Sequence, residues 1–264
     1  SNNTAVGQAA LTANTTGTDN TAVGTGAAQD STEGDSLVAV GRLALENNTT
    51  GNRSVAVGYQ ALASNTTGDN NVAIGKDALQ SNTTANYNTA LGYEALEMNS
   101  TGTQNVAVGP FALDENTTAD NNVAVGYGSL SANTTGSENT ACGGNALQNT
   151  TTADNNVAVG KSALENNSSG SNNVAVGFEA CKATSTGAHN IGIGFRAFEV
   201  NTTGSQNVAI GSYALDDNTT VDGNTAIGYA AMAANTTGTG NTAVGSHAAD
   251  ANSTGTALTA VGWY

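Results

Sequence analysis

Positive charge is scarce in this chain. Six Lys and Arg stand against 21 Asp and Glu over 264 residues, a net charge of −15. Nucleic-acid binding needs basic groups that displace counterions, so a nucleic-acid partner is not expected, nor is an anionic membrane surface. Proline occurs once, at Pro110, and aromatic residues make up 5% of the chain. Without large side chains no broad core can form, and any core must be thin and built from small residues at close spacing. Long apolar runs are missing, so no membrane insertion is expected, and residues 1–30 carry no signal-peptide pattern. The two cysteines, Cys142 and Cys181, rule out a disulfide-dense scaffold. Both fall at apolar positions of a repeat and read as small core hydrophobes. Two coil steps of about 4.8 Å would hold them about 10 Å apart, beyond the roughly 7 Å reach of a bridge.

What the chain has instead is repetition. Gly7, Gly24, Gly41, Gly58, Gly75, Gly92, Gly109, Gly126, Gly143, Gly160, Gly177, Gly194, Gly211, Gly228, Gly245 and Gly262 recur every 17 residues without a slip. A period this strict marks one structural unit stacked on copies of itself, so residues 1–264 read as a single continuous array. The array begins and ends inside the motif with no distinct capping unit, as expected for a segment of a longer fibre or a filament subunit.

Numbering from the repeat glycine as position 0, position 16 is Val, Ile or Leu except at Cys142, and position 14 is Val, Ile or Thr. Position 15 is Ala throughout except Gly192. This is a short β-branched strand bounded by Asn and Gly. Strand side chains alternate between faces, so both faces are restricted, one mainly to β-branched groups and the other to nothing larger than a methyl. One face fills the coil and the other meets a second chain; the residues alone do not say which.

Positions 3 and 4, usually Ala-Leu as in Ala44-Leu45, form a second apolar wall. Positions 7–10, Asn-Thr-Thr-Gly, form a corner in which Gly would supply a positive φ. Asn at position 13, as in Asn71 and Asn105, is expected to line up in amide ladders. Together these predict an all-β chain, a β-solenoid (β-roll) of about 15 coils, about 75 Å long at the inter-strand spacing.

The pentads Ser54-Val55-Ala56-Val57-Gly58, Asn71-Val72-Ala73-Ile74-Gly75 and Asn207-Val208-Ala209-Ile210-Gly211 resemble the repeat of YadA-type trimeric autotransporter head domains. The longer unit Asn88-Thr89-Ala90-Leu91-Gly92-Tyr93-Glu94-Ala95-Leu96 resembles repeats of phage and bacterial tail-fibre-like proteins. The YadA-type repeat is shorter and lacks the Asn-Thr-Thr corner. The resemblance implies a parallel homotrimer and a role in adhesion.

Several side chains invite a chemical reading. The Asn-Thr-Thr corner is a glycosylation sequon, at Asn14, Asn48, Asn65, Asn82, Asn116, Asn133, Asn201, Asn218 and Asn235, with Asn99 and Asn252 as Ser-Thr variants. The same triplet is also sound turn chemistry. Its consecutive threonines invite an ice-binding reading, though ice binding usually needs threonines alternating on a flat strand. Tyr59, Tyr93, Tyr127, Phe195, Tyr229 and Trp263 occupy position 1 on a 34-residue lattice broken by Lys161 and Thr25. Rings about 9.6 Å apart on one edge could stack on a cell-surface glycan or fill a groove between chains. Asp at position 11, in Asp35, Asp69, Asp120, Asp154 and Asp222, lacks the calcium-solenoid pattern. His189 and His247 read as surface residues. No nucleophile–base pair, phosphate loop or metal cluster is present, so neither an enzyme, a cofactor nor a metal is expected. The expected role is a rigid extracellular fibre, a shaft or head that spaces and adheres, on a cell surface or virion or in a secreted filament. Its partner is itself, as a homo-oligomer or by end-to-end stacking, with a cell-surface glycan as a further partner. The alternatives are a self-assembling filament subunit, glycosylated or not, and an ice- or glycan-binding solenoid.

Overall fold

The computed structural model describes residues 2–263. Each 17-residue repeat closes one coil, and each coil contributes one three-residue strand at positions 14–16, from β1 (Thr4–Val6) to β16 (Thr259–Val261). The fold is an all-β parallel β-solenoid of about 15 coils. The chain forms two compact units, Ser1–Thr135 and Gly136–Tyr264. Within each, the strands lie side by side in sequence order, every pair offset by one repeat, as in Val55↔Val72 in the first unit and Val174↔Ile191 in the second.

The faces of the strand are now assigned. Position 15 points inward: Ala39, Ala56 and Ala73 are fully buried. Positions 14 and 16 point outward and stay half-buried or exposed, as at Ile74, Leu91 and Val125. Opposite the strand, Ala44 and Leu45 and their counterparts in the inner coils close the second wall with almost no exposure. Each buried Leu contributes about 1.5–3 kcal/mol, so the thin core is stabilised coil by coil.

The backbone around this core is unusual. Besides the repeat glycine, whose φ lies between 127° and 148°, positions 2, 4 and 12 are left-handed in most coils, including Leu45 (φ 53°), Gln60 (φ 54°) and Asn70 (φ 58°). Non-glycine residues pay for this conformation. The return is that the amides lie along the stacking direction. Gln60 N–H donates to Arg42 O (3.1 Å) in the coil before, Leu62 N–H to Ala78 O (3.0 Å) in the coil after, and Asn70 N–H to Asn52 O (3.0 Å) in the coil before. Nearly the whole coil, not just its strand, is thereby paired, which satisfies the requirement that buried backbone groups find partners.

The corner glycine at position 10 behaves otherwise than expected. It is not left-handed; instead a Cβ on Gly68 would collide with Ala85 O of the next coil and with Asn65 Oδ1. Close approach, not a turn angle, selects for smallness here.

Candidate functional site

Polar side chains form columns at fixed positions. At position 7, Asn65 Nδ2 donates to Asn48 Oδ1 (2.8 Å) and to Gly68 O (3.0 Å), and Asn82, Asn99 and Asn116 repeat the arrangement. An amide ladder therefore runs through position 7, and position 13, where the sequence predicts one, also carries amide–amide bonds, as from Asn156 Nδ2 to Asn139 Oδ1 (3.2 Å) and from Asn207 Nδ2 to Asn190 Oδ1 (3.3 Å). At position 13 the asparagines mainly serve backbone: Asn88 Oδ1 accepts from Asn105 N–H (2.9 Å) and Asn88 Nδ2 donates to Gly102 O (2.8 Å). At position 8, Thr49 Oγ1 donates to Thr66 O (2.9 Å) in the next coil. At position 11, Asp69 Oδ1 accepts from Asn52 N–H (2.7 Å) and Asp222 Oδ1 from Ser205 N–H (2.6 Å). These carboxylates tie coils together, and no group of three or more His, Cys, Asp or Glu poised for a metal occurs among the described residues.

The burial of these asparagines weighs against the glycosylation reading. Asn48, Asn65, Asn82, Asn99, Asn116, Asn133, Asn201, Asn218 and Asn235 have no exposure, and Asn14 and Asn252 are half-buried. Glycosylation needs an accessible Nδ2, whereas Asn14 and Asn201, like Asn65, donate it to the carbonyl three residues on, and the Nδ2 atoms of Asn218 and Asn252 are buried without a hydrogen-bond partner. In the folded chain these asparagines make turn and ladder hydrogen bonds. The ice reading of the corner threonines loses ground for a similar reason, since the position 8 hydroxyls are spent on neighbouring carbonyls.

The cysteines divide. Cys181 is buried and its thiol is pushed up to about 12 by burial. It fills the space that a Cβ on Gly192 would need, so Gly192 and Cys181 are one packing adjustment. Cys142, expected in the core, is exposed, because position 16 faces outward. Both are free.

The aromatic edge exists and is denser than a 34-residue lattice. Tyr59, Tyr93, Tyr127, Phe195, Tyr229 and Trp263 are all exposed. In the second unit the rings run unbroken through Phe178, Phe195, Tyr213, Tyr229 and His247, with centroids 5.3 to 6.1 Å apart. In the first unit Phe111 joins Tyr93 to Tyr127 at 5.3 and 5.7 Å. Phe111, Tyr213 and His247 stand at position 2. That position and position 1 of the next coil share one edge, so position 2 residues fill the gaps between position 1 residues. His247, read as a lone surface residue, belongs to this column. His189 is exposed. Cations cap the rings, with Arg42 over Tyr59, Lys76 over Tyr93 and Arg196 over Phe195. Such contacts are worth about 0.5–1 kcal/mol when exposed.

Beside the rings, positions 2 and 5 carry a charged corner. Glu179 bridges Lys182 (2.8 Å) and Arg196 (2.9 Å), which holds its carboxyl below the ordinary range. Asp114 and Asp216 each bury an Oδ1 without a hydrogen-bond partner, and burial pushes both carboxyls up to about 6. No cavity opens anywhere among the described residues. Compared with known proteins, the chain matches no family model, no curated sequence and no solved structure.

Proposed function

We propose that the chain is a segment of an extracellular fibre, the shaft or head of an adhesin or tail fibre, in which three copies associate as the YadA-type resemblance implies. The observation that carries this reading is the sameness of each coil-to-coil step. Backbone amides, Asn amides, Thr hydroxyls and Asp carboxylates all bond to the next copy of themselves or its neighbour. A chain that spends its polar groups on its own repetition is suited to bearing load and holding distance. Its adhesive surface is the aromatic edge, where ring faces and their flanking cations meet solvent. Immunogold electron microscopy with an antibody against this segment tests the reading in the organism or particle that carries it. Label along finite appendages projecting from a surface is expected; label confined to the cell interior, or along open-ended polymers detached from any surface, would overturn it.

A further inference from the structure

Position 10 is Gly or Ala in every coil except at Val221. Each corner lies so near the next that a Cβ at this position meets the following coil, as Gly204 would meet Val221 O and Gly238 would meet Gly255 O. Val221 puts a branched side chain into a column that otherwise holds nothing larger than a methyl, and overpacking of this kind pushes neighbours apart. The corner bonds fail at that step. On its two sides, Thr202 N–H donates to Thr219 O (2.7 Å) and Thr236 N–H to Ser253 O (3.0 Å), and the hydroxyls of Thr202 and Thr236 donate to the same carbonyls. Between coils 211–227 and 228–244, no such bond joins Thr219 to Thr236 O among the described residues, and Asn218 Nδ2 is buried without a partner.

The aromatic edge of the same step carries the one pair of tyrosines in ring contact among the described residues. Tyr213 and Tyr229 stand on successive coils with centroids 6.1 Å apart and planes at 85°. Their backbones are fixed by the stack: Tyr213 N–H donates to Phe195 O (3.1 Å), and Ala230 N–H, beside Tyr229, to Ser212 O (2.9 Å). Tyr213 is half-buried, while Tyr229 keeps 53% of its surface. In the first unit the corresponding column runs Tyr93, Phe111, Tyr127, so a phenylalanine separates the phenols there.

We infer that Tyr213 and Tyr229 form a modification site, at which one-electron oxidation couples the two phenols into a dityrosine that fastens coil 211–227 to coil 228–244. The oxidant is of the haem peroxidase class, working with hydrogen peroxide. It takes one electron and one proton from each phenol and reduces one peroxide to two waters. The two phenoxyl radicals join through a carbon–carbon bond between ring positions ortho to the hydroxyls. The hydrogen on each of those carbons then passes through water to the phenoxyl oxygen and restores the phenol, so the chain loses two hydrogens in all. His247, whose ring follows Tyr229 at 5.3 Å, is a base beside the ring that gives up its proton. The free surface of Tyr229 lets its edge swing onto that of Tyr213. A bond closing so short a loop restricts the unfolded chain as a disulfide would, at the step where the corner bonds are missing.

Treatment of the full chain at low concentration with a haem peroxidase and hydrogen peroxide should produce dityrosine fluorescence. Mass spectrometry after digestion should find peptides containing residues 213 and 229 linked, two hydrogens lighter than their sum. Proteolytic cleavage within 217–222 should slow by about tenfold in the treated chain. Tyr213→Phe, which installs the residue that the first unit already has at Phe111, should keep its β circular dichroism and lose the linkage. Phe111→Tyr should add a new linkage, to Tyr93 or Tyr127. A treated wild type without the 213–229 linkage overturns the inference, as does dityrosine that forms only between chains or that Tyr213→Phe leaves undiminished. Failure of Phe111→Tyr to couple would show that ring contact on this edge does not select the pair. A linkage that leaves cleavage unchanged would overturn its fastening role.

Discussion

At Gly75 two demands meet in one residue: a φ of 141°, and a neighbouring coil so close that a Cβ would overlap the carbonyl of Gly92. Gly75→Ala is therefore expected to cost about 3 kcal/mol or more, combining backbone strain with overpacking that the bonded stack cannot relieve. A fall in the thermal midpoint with a smaller loss for an outward change such as Val72→Ala is the outcome to measure. The periodic glycine was legible from sequence for this reason: only one residue type satisfies both demands. The left-handed residues at positions 2, 4 and 12 were not legible, because Leu, Gln and Tyr ordinarily avoid that conformation. Here the coil-to-coil amide bonds overrule intrinsic preference. The methyl limit at position 15 was likewise visible in the letters. Its inward direction was not, since period-two alternation is the same read from either side.

Within a coil, what sequence could not reveal is which positions become neighbours across the stack. Tyr213 and His247 fell outside the position 1 lattice, yet they close the gaps between Phe195, Tyr229 and the next coil because positions 1 and 2 turn the same edge. The sequons were conspicuous as a motif, but their burial depends on the corner folding inward. The adjoining charged corner gives the coil a pH response. Asp114 and Asp216, raised to about 6 by burial, retain protons in the folded chain that the unfolded chain releases near pH 4. The folded state thus binds more protons between about pH 4 and 6, and stability falls as pH rises through that window. Asp114→Asn with Asp216→Asn should match the wild type near pH 4 and exceed it at pH 7 by about 1 kcal/mol per site, the figure being reduced for their partial exposure. Chemical denaturation at both pH values measures this; an equal gap at pH 4 and pH 7 would mean the carboxyls do not titrate there.

Among the described residues of each unit, strand contacts step from one coil to the next, so stability is approximately a sum of coil terms and nearest-neighbour terms. Removing residues 59–75, one full period, should leave a soluble β chain with a slightly lower midpoint, whereas removing 59–66 should unfold the coils around the cut. Circular dichroism and limited proteolysis distinguish the two. The same geometry reaches back to the gene. Because every coil presents the same carbonyls, amides and small side chains to its successor, misaligned recombination between repeats yields chains that still fold provided whole periods are exchanged. Length then becomes a trait that can drift or be selected in steps of 17 codons, without a new fold being found at any step.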